Sequence, residues 1–72
     1  MLGTYLNQYM KQNGIQQRFI SEKTGIQPEV LVAMLEGRRK MEVAEYYDIC
    51  AAMGVSPTGI ASEAGIYLVA ES

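Results

Sequence analysis

Between Gln17 and Glu36 the chain reads QRFISEKTGIQPEVLVAMLE, two short blocks of apolar periodicity parted by a glycine at the ninth position. The first block, Gln16 to Thr24, places Phe19, Ile20 and Lys23 in a helical run, and Gly25 ends it because glycine enters the left-handed region without a Cβ penalty. Pro28 suits the first position of a second helix, where its missing N–H would have had no partner, and Glu29 complements the positive end of the dipole. Ile26, just outside, is placed to staple onto Leu31. Leu31, Met34 and Leu35 share one face of this helix, which runs to about Glu36 and stops at Gly37. Ile20, Ile26, Leu31 and Met34 therefore point inward, and the small Ser21 stands where the two helices approach. Helices this short are marginal alone in water, so both need tertiary support.

Working outward, Leu6, Tyr9 and Met10, with Leu2 before them, predict a first helix over Thr4 to Asn13 that Gly14 closes. Val43, Tyr46, Ile49, Cys50 and Met53 recur at three and four and predict a longer amphipathic helix over Val43 to Met53, closed by Gly54. Ser56 is a good N-cap and Pro57 a good first residue, so a short fifth helix is expected through Ile60 or Ala61, weakened by Gly59. The expected class is all-α with five helices. The tail from Gly65 to Ser72 holds Ile66, Tyr67, Leu68 and Val69 without helical amphipathicity, and an extended tail, a helix against the body and pairing with another chain all stay open.

Seventy-two residues suit one domain, 1–72, since a core of this size supplies about 3 to 5 kcal/mol. With 49% apolar and 19% charged residues the chain falls in the globular class. One cysteine, Cys50, and no histidine leave neither a disulfide framework nor a zinc site from familiar ligands. No run of about 18 apolar residues and no signal-peptide pattern is present, so the expected compartment is a reducing cytoplasm, with no membrane partner. Net charge is −2, which by itself argues against a polyanionic partner. The distribution matters more: Lys11, Arg18, Lys23, Arg38, Arg39 and Lys40 face only Glu22, Glu29 and Glu36 up to position 40, and five acids with no base follow. Such polarity would orient the molecule on a polyanion, although small domains also carry uneven charge without consequence.

Two short helices joined by a tight turn form a device in which the first crosses the phosphate backbone and the second lies in the major groove. Here the sequence resembles the Cro/cI-type (XRE-like) helix-turn-helix domains of phage and bacterial repressors. The likeness runs from about Leu6 to Ile60 through Gly14-Ile15-Gln16-Gln17, Gly25-Ile26, Met34-Leu35-Glu36-Gly37-Arg38 and Ala52-Met53-Gly54-Val55-Ser56. It implies a five-helix lambda-repressor-like domain, operator binding, dimerisation, no enzymatic activity and no cofactor. Within the resemblance, Gln17 and Arg18 match positions that touch phosphate at a helix N-terminus. Gln27, Glu29, Val30, Val32 and Ala33 match groove-facing positions, and Arg38, Arg39 and Lys40 match a loop beside the sugar-phosphate backbone.

Two departures from the family pattern stand out. Met10 and Leu35 occupy positions where relatives pair an arginine with a glutamate; packed hydrophobes can replace such a pair at little loss, and the two are expected to touch. The groove-facing set is apolar where relatives carry polar residues. Valine and alanine can meet thymine methyls, Glu29 can accept from cytosine N4 and Gln27 can reach adenine, but without bidentate arginine the readout is thin. An apolar strip also suits a protein partner.

The remaining reactive residues have plain readings beside them. Cys50 falls on a buried face and reads as packing. Tyr5, Tyr9, Tyr46, Tyr47 and Tyr67 could stack on bases, but four of them lie in predicted helices and read as core edges with the hydroxyl in water. Phe19 is either half-buried against the first helix or part of a partner surface. Glu42, Glu45 and Asp48 open the fourth helix and favour its dipole without any metal. No nucleophile with a base, carboxylate pair or phosphate loop supports an enzyme. The expectation is a transcriptional regulator that binds a roughly palindromic operator as a homodimer, its recognition helices about 34 Å apart. The alternative is a protein-interaction module, antitoxin-like or anti-repressor, gripping a polypeptide with Val30, Val32 and Ala33. The fifth helix and the 65–72 tail are the expected dimer surface.

Overall fold

A computed structural model describes residues 2–65. Five helices follow one another, α1 (Leu2–Gln12), α2 (Gln17–Thr24), α3 (Pro28–Leu35), α4 (Val43–Met53) and α5 (Pro57–Glu63), with no strand among the described residues. The all-α, five-helix expectation is met. The expectations for the tail beyond Gly65 lie outside the described residues.

Helix α1 starts two residues earlier than its apolar spacing suggested. The cause is Gly3, which is buried where α1 runs against the backbone of Met34 in α3. At the other end the Ile15 N–H donates to the Met10 carbonyl at 2.9 Å and the Asn13 amide donates to the Tyr9 carbonyl at 2.8 Å. Carbonyls that the last turn leaves open are thereby satisfied.

The turn between α2 and α3 is held by side chains as well as by glycine. Gly25 sits at φ 78° and its N–H donates to the Ser21 carbonyl at 2.9 Å. Ser21 Oγ donates to the Ile26 carbonyl at 2.6 Å, and Thr24 Oγ1 donates to the Ile20 carbonyl while accepting the Ile26 N–H. The small size of Ser21 matters less than its hydroxyl, which ties the end of the turn back onto α2.

Helix α3 ends at Leu35, one residue short of expectation, because the chain turns back at Gly37 and the Arg38 and Arg39 N–H groups both donate to the Ala33 carbonyl, at 2.8 and 3.1 Å. Helix α4 has the expected bounds, and the Glu42 N–H donates to Glu45 Oε1 at 2.9 Å, half of a capping box. Two of its side chains depart from expectation. Val43 is 57% exposed, since it opens the helix and that face is covered only from Tyr46 onward. Tyr46 is no edge residue: it is fully buried, and its hydroxyl donates to the Pro57 carbonyl instead of to water. Helix α5 runs to Glu63, beyond the expected Ile60 or Ala61. Ser56 Oγ caps it by accepting the Gly59 N–H at 3.2 Å, and Glu63 is fastened to α1 by the Tyr5 hydroxyl at 3.2 Å.

The core gathers Leu6 and Met10 from α1, Ile20 from α2, Leu31, Met34 and Leu35 from α3, Tyr46, Ile49 and Cys50 from α4 and Ile60 from α5. No polar or charged residue is buried among the described residues. Met10 and Leu35, the apolar couple, are both closed off from solvent in this one cluster. The core thus fixes α2 and α3 as a unit and leaves their outer faces to solvent.

Candidate nucleic-acid interface

The first turn of α3 projects from the body. Gln27, Pro28 and Glu29 are exposed, and the Gln27 side chain makes no cap hydrogen bond although it stands at the N-cap. Leu31, Met34 and Leu35 take the inward face, so residues three and four apart on the opposite side, Glu29, Ala33 and Glu36, form the outermost line. Ala33 on that line and Val30 and Val32 beside it are all half-buried, and Val30 packs against the core. The outer surface is therefore less apolar and more acidic than its composition suggested. Glu36 was not among the groove-facing candidates; its spacing of seven from Glu29 was the signal that marks it.

Helix α2 contributes Gln17 and Arg18 at its start. Gln17 is half-buried and its amide donates to Asn7 Oδ1 at 3.4 Å, which anchors the entry of α2 to α1. Arg18 is exposed and pairs with Glu22 one turn on, at 3.5 Å. Between α2 and α3 a cleft of about 410 Å³ is lined by Gln17, Arg18, Ser21, Glu22, Pro28 and Leu31. Phe19, 44% exposed, turns away from the core, and Lys23 Nζ lies 5.7 Å from its ring centroid. The aromatic ring is thus covered in part by a cation of its own helix.

The loop after α3 brings Arg38, Arg39 and Lys40 to the surface together, all exposed. Arg38 pairs with Glu36 at 2.8 Å and Arg39 with Glu45 at 3.2 Å. All three arginines thus hold a carboxylate, whereas Lys11, Lys23 and Lys40 form no ion pair among the described residues. The charge polarity along the sequence is partly folded back on itself here, because Glu45 of the acidic half meets Arg39 of the basic half. Exposed pairs of this kind are worth about 0 to 1 kcal/mol, so a phosphate can displace the carboxylate at small cost. Glu45 is held more firmly than the others: the Glu42 N–H keeps its carboxyl below the usual range, with Arg39 adding to this against the effect of desolvation.

Cys50 is buried on α4, and burial pushes its thiol up, away from the thiolate that reactivity needs. Among the described residues no three metal-ligating side chains cluster, and no helix is long and apolar enough to cross a membrane. The chain matches no protein-family model, and it shows no significant similarity to a curated protein or to a solved structure.

Proposed function

We propose that the protein is a sequence-directed DNA-binding regulator that acts as a homodimer on a palindromic operator. The observation that carries this reading is the projecting first turn of α3, with Ile26 ahead of it tied to α2 by the Ser21 and Thr24 hydroxyls, accompanied by the exposed cations Arg38, Arg39 and Lys40. A short rigid helix flanked by cations suits a major groove bordered by phosphates. In this reading Arg18 and the 38–40 loop meet the backbone, Gln17 supports the entry of α2, and Gln27, Glu29, Val30, Val32 and Ala33 meet base edges. A single module makes few contacts, and two-fold symmetry doubles them.

One observation favours a second reading, a protein-interaction module. The outermost line of α3 carries two carboxylates, Glu29 and Glu36, which a basic polypeptide would accept more readily than a phosphate-lined groove. Retardation of a random DNA duplex separates the two. Under the first reading the chain binds with a steep salt dependence, and replacing Arg38, Arg39 and Lys40 together by alanine flattens the log–log slope by about 0.9 for each lost contact. A chain that ignores duplex DNA at low salt belongs to the second reading. The solution mass, measured with and without duplex, tests the dimer.

A further inference from the structure

The loop that joins α3 to α4 also forms a wall. With the first turn of α1 it bounds a cleft of about 390 Å³, within the range that small ligands occupy, about 300 to 1,000 Å³. Leu2 and Met41, both half-buried, supply apolar lining, beside the backbone at Gly3 and Gly37 and the closed-off Met34. Arg39 and Lys40 supply charge at the same cleft. Methionine adapts to irregular apolar shapes, so Met41 suits a flexible chain better than a rigid ring.

The charge count narrows the ligand. Arg39 already shares its guanidinium with Glu45, and Lys40 forms no ion pair among the described residues, which leaves one cation unmatched. One unmatched cation beside an apolar cleft fits a monoanion with an aliphatic tail. We propose that this cleft binds a medium-chain aliphatic carboxylate and that the occupied cleft withholds Arg39 and Lys40 from phosphate. The first half stands on the cleft alone; the second rests on the DNA-binding reading.

Octanoate, hexanoate and octanol are the probes, titrated calorimetrically into the whole chain and followed in parallel by thermal denaturation. Octanoate binds saturably and raises Tm, as any ligand of the folded state does. Hexanoate, two methylenes shorter, binds about fifteenfold more weakly, each buried methylene giving a factor of about four. Octanol, without the charge, binds more weakly than octanoate by up to about fivefold, the range of an exposed ion pair. Lys40→Gln brings octanoate to the level of octanol and leaves octanol and the Tm of the free chain unchanged. Met41→Glu abolishes both.

Absence of octanoate binding, equal binding of octanol, or binding indifferent to both substitutions would overturn the site. In the retardation assay octanoate, and not octanol, releases bound duplex; a duplex held unchanged at saturating octanoate overturns the regulatory half. If the chain binds no duplex at all, the DNA-binding reading fails while the calorimetric result on the cleft still stands.

Discussion

Gly3 lies so close to the backbone carbonyl of Met34 that no Cβ fits between them, and the Leu35 Cα stands 3.6 Å from where that Cβ would be. Helices α1 and α3 meet backbone to backbone at this point, and the depth of Leu6 and Met10 in the core depends on it.

Gly3→Ala therefore lowers stability by about 1 to 3 kcal/mol, the usual cost of overpacking, even though alanine is the better helix former by about 1 kcal/mol. Gly59→Ala does the reverse. Its Cβ would meet the Ser56 Cβ at 3.5 Å, an ordinary contact, so the substitution gains about 0.5 to 1 kcal/mol. Urea denaturation of the two variants beside the parent chain checks both signs.

Met10 and Leu35 offer a test of the apolar exchange. Met10→Arg or Leu35→Glu alone leaves a charge in a closed core and costs about 3 to 5 kcal/mol, as much as a core of this size supplies. Each single variant is expected to be unfolded by circular dichroism. The double variant recovers helicity, because each charge then has its partner; two singles and a double that are equally unfolded would show that the side chains do not meet.

Stability declines in alkali. Burial raises the Cys50 thiol above its ordinary value of 9.0 and the Tyr46 phenol above 10.0, and Tyr5 moves the same way, through desolvation and then Glu63. All three groups are neutral when protonated, and the unfolded chain releases these protons first. The stabilisation is thus complete below pH 9 and is lost as pH rises through the unfolded values. Denaturation midpoints between pH 7 and pH 11 should fall, first at the thiol and then at the phenol. Cys50→Ala removes the earlier part of the decline. Tyr46→Phe removes the later part and costs about 1 to 3 kcal/mol at neutral pH, since the Pro57 carbonyl loses the hydroxyl that bonds it.

Under the proposed DNA-binding reading, releasing the arginines strengthens attachment to a duplex. Glu36→Gln frees Arg38 and Glu45→Gln frees Arg39, and each raises affinity for a random duplex by up to about fivefold. Glu45→Gln also loses the charge that the Glu42 N–H favours, so its Tm falls where that of Glu36→Gln does not. A retardation titration at fixed ionic strength reads both effects. Unchanged affinity in both variants would remove the 38–40 loop from the phosphate contacts.

Apolar spacing marked the first four helices and most of the core, because Leu6, Met10, Ile20, Leu31, Met34, Leu35, Ile49 and Cys50 recur at helical intervals and the glycines at 14, 25, 37 and 54 punctuate them, while Ser56 and Pro57 marked the fifth. Where spacing misled, a tertiary relation decided. Gly3 reads as a poor helix residue until α3 is placed against it, and Tyr46 reads as a boundary residue until the Pro57 carbonyl arrives from eleven positions on. The cations of the candidate site were legible as a cluster, but not their partners: a run of Arg, Arg and Lys does not announce that Glu36 and Glu45 will fold onto it. Nor does a list of valines on α3 tell which of them the core half covers.

The hydrogen bond from Tyr5 to Glu63 joins residues 58 positions apart. During synthesis a ribosome must extend the chain past α5 before α1 acquires this clasp, so the first helix made is among the last to be finished. Until Glu63 is made, α1 can rest on the core through Leu6 and Met10 but lacks the clasp at its outer edge.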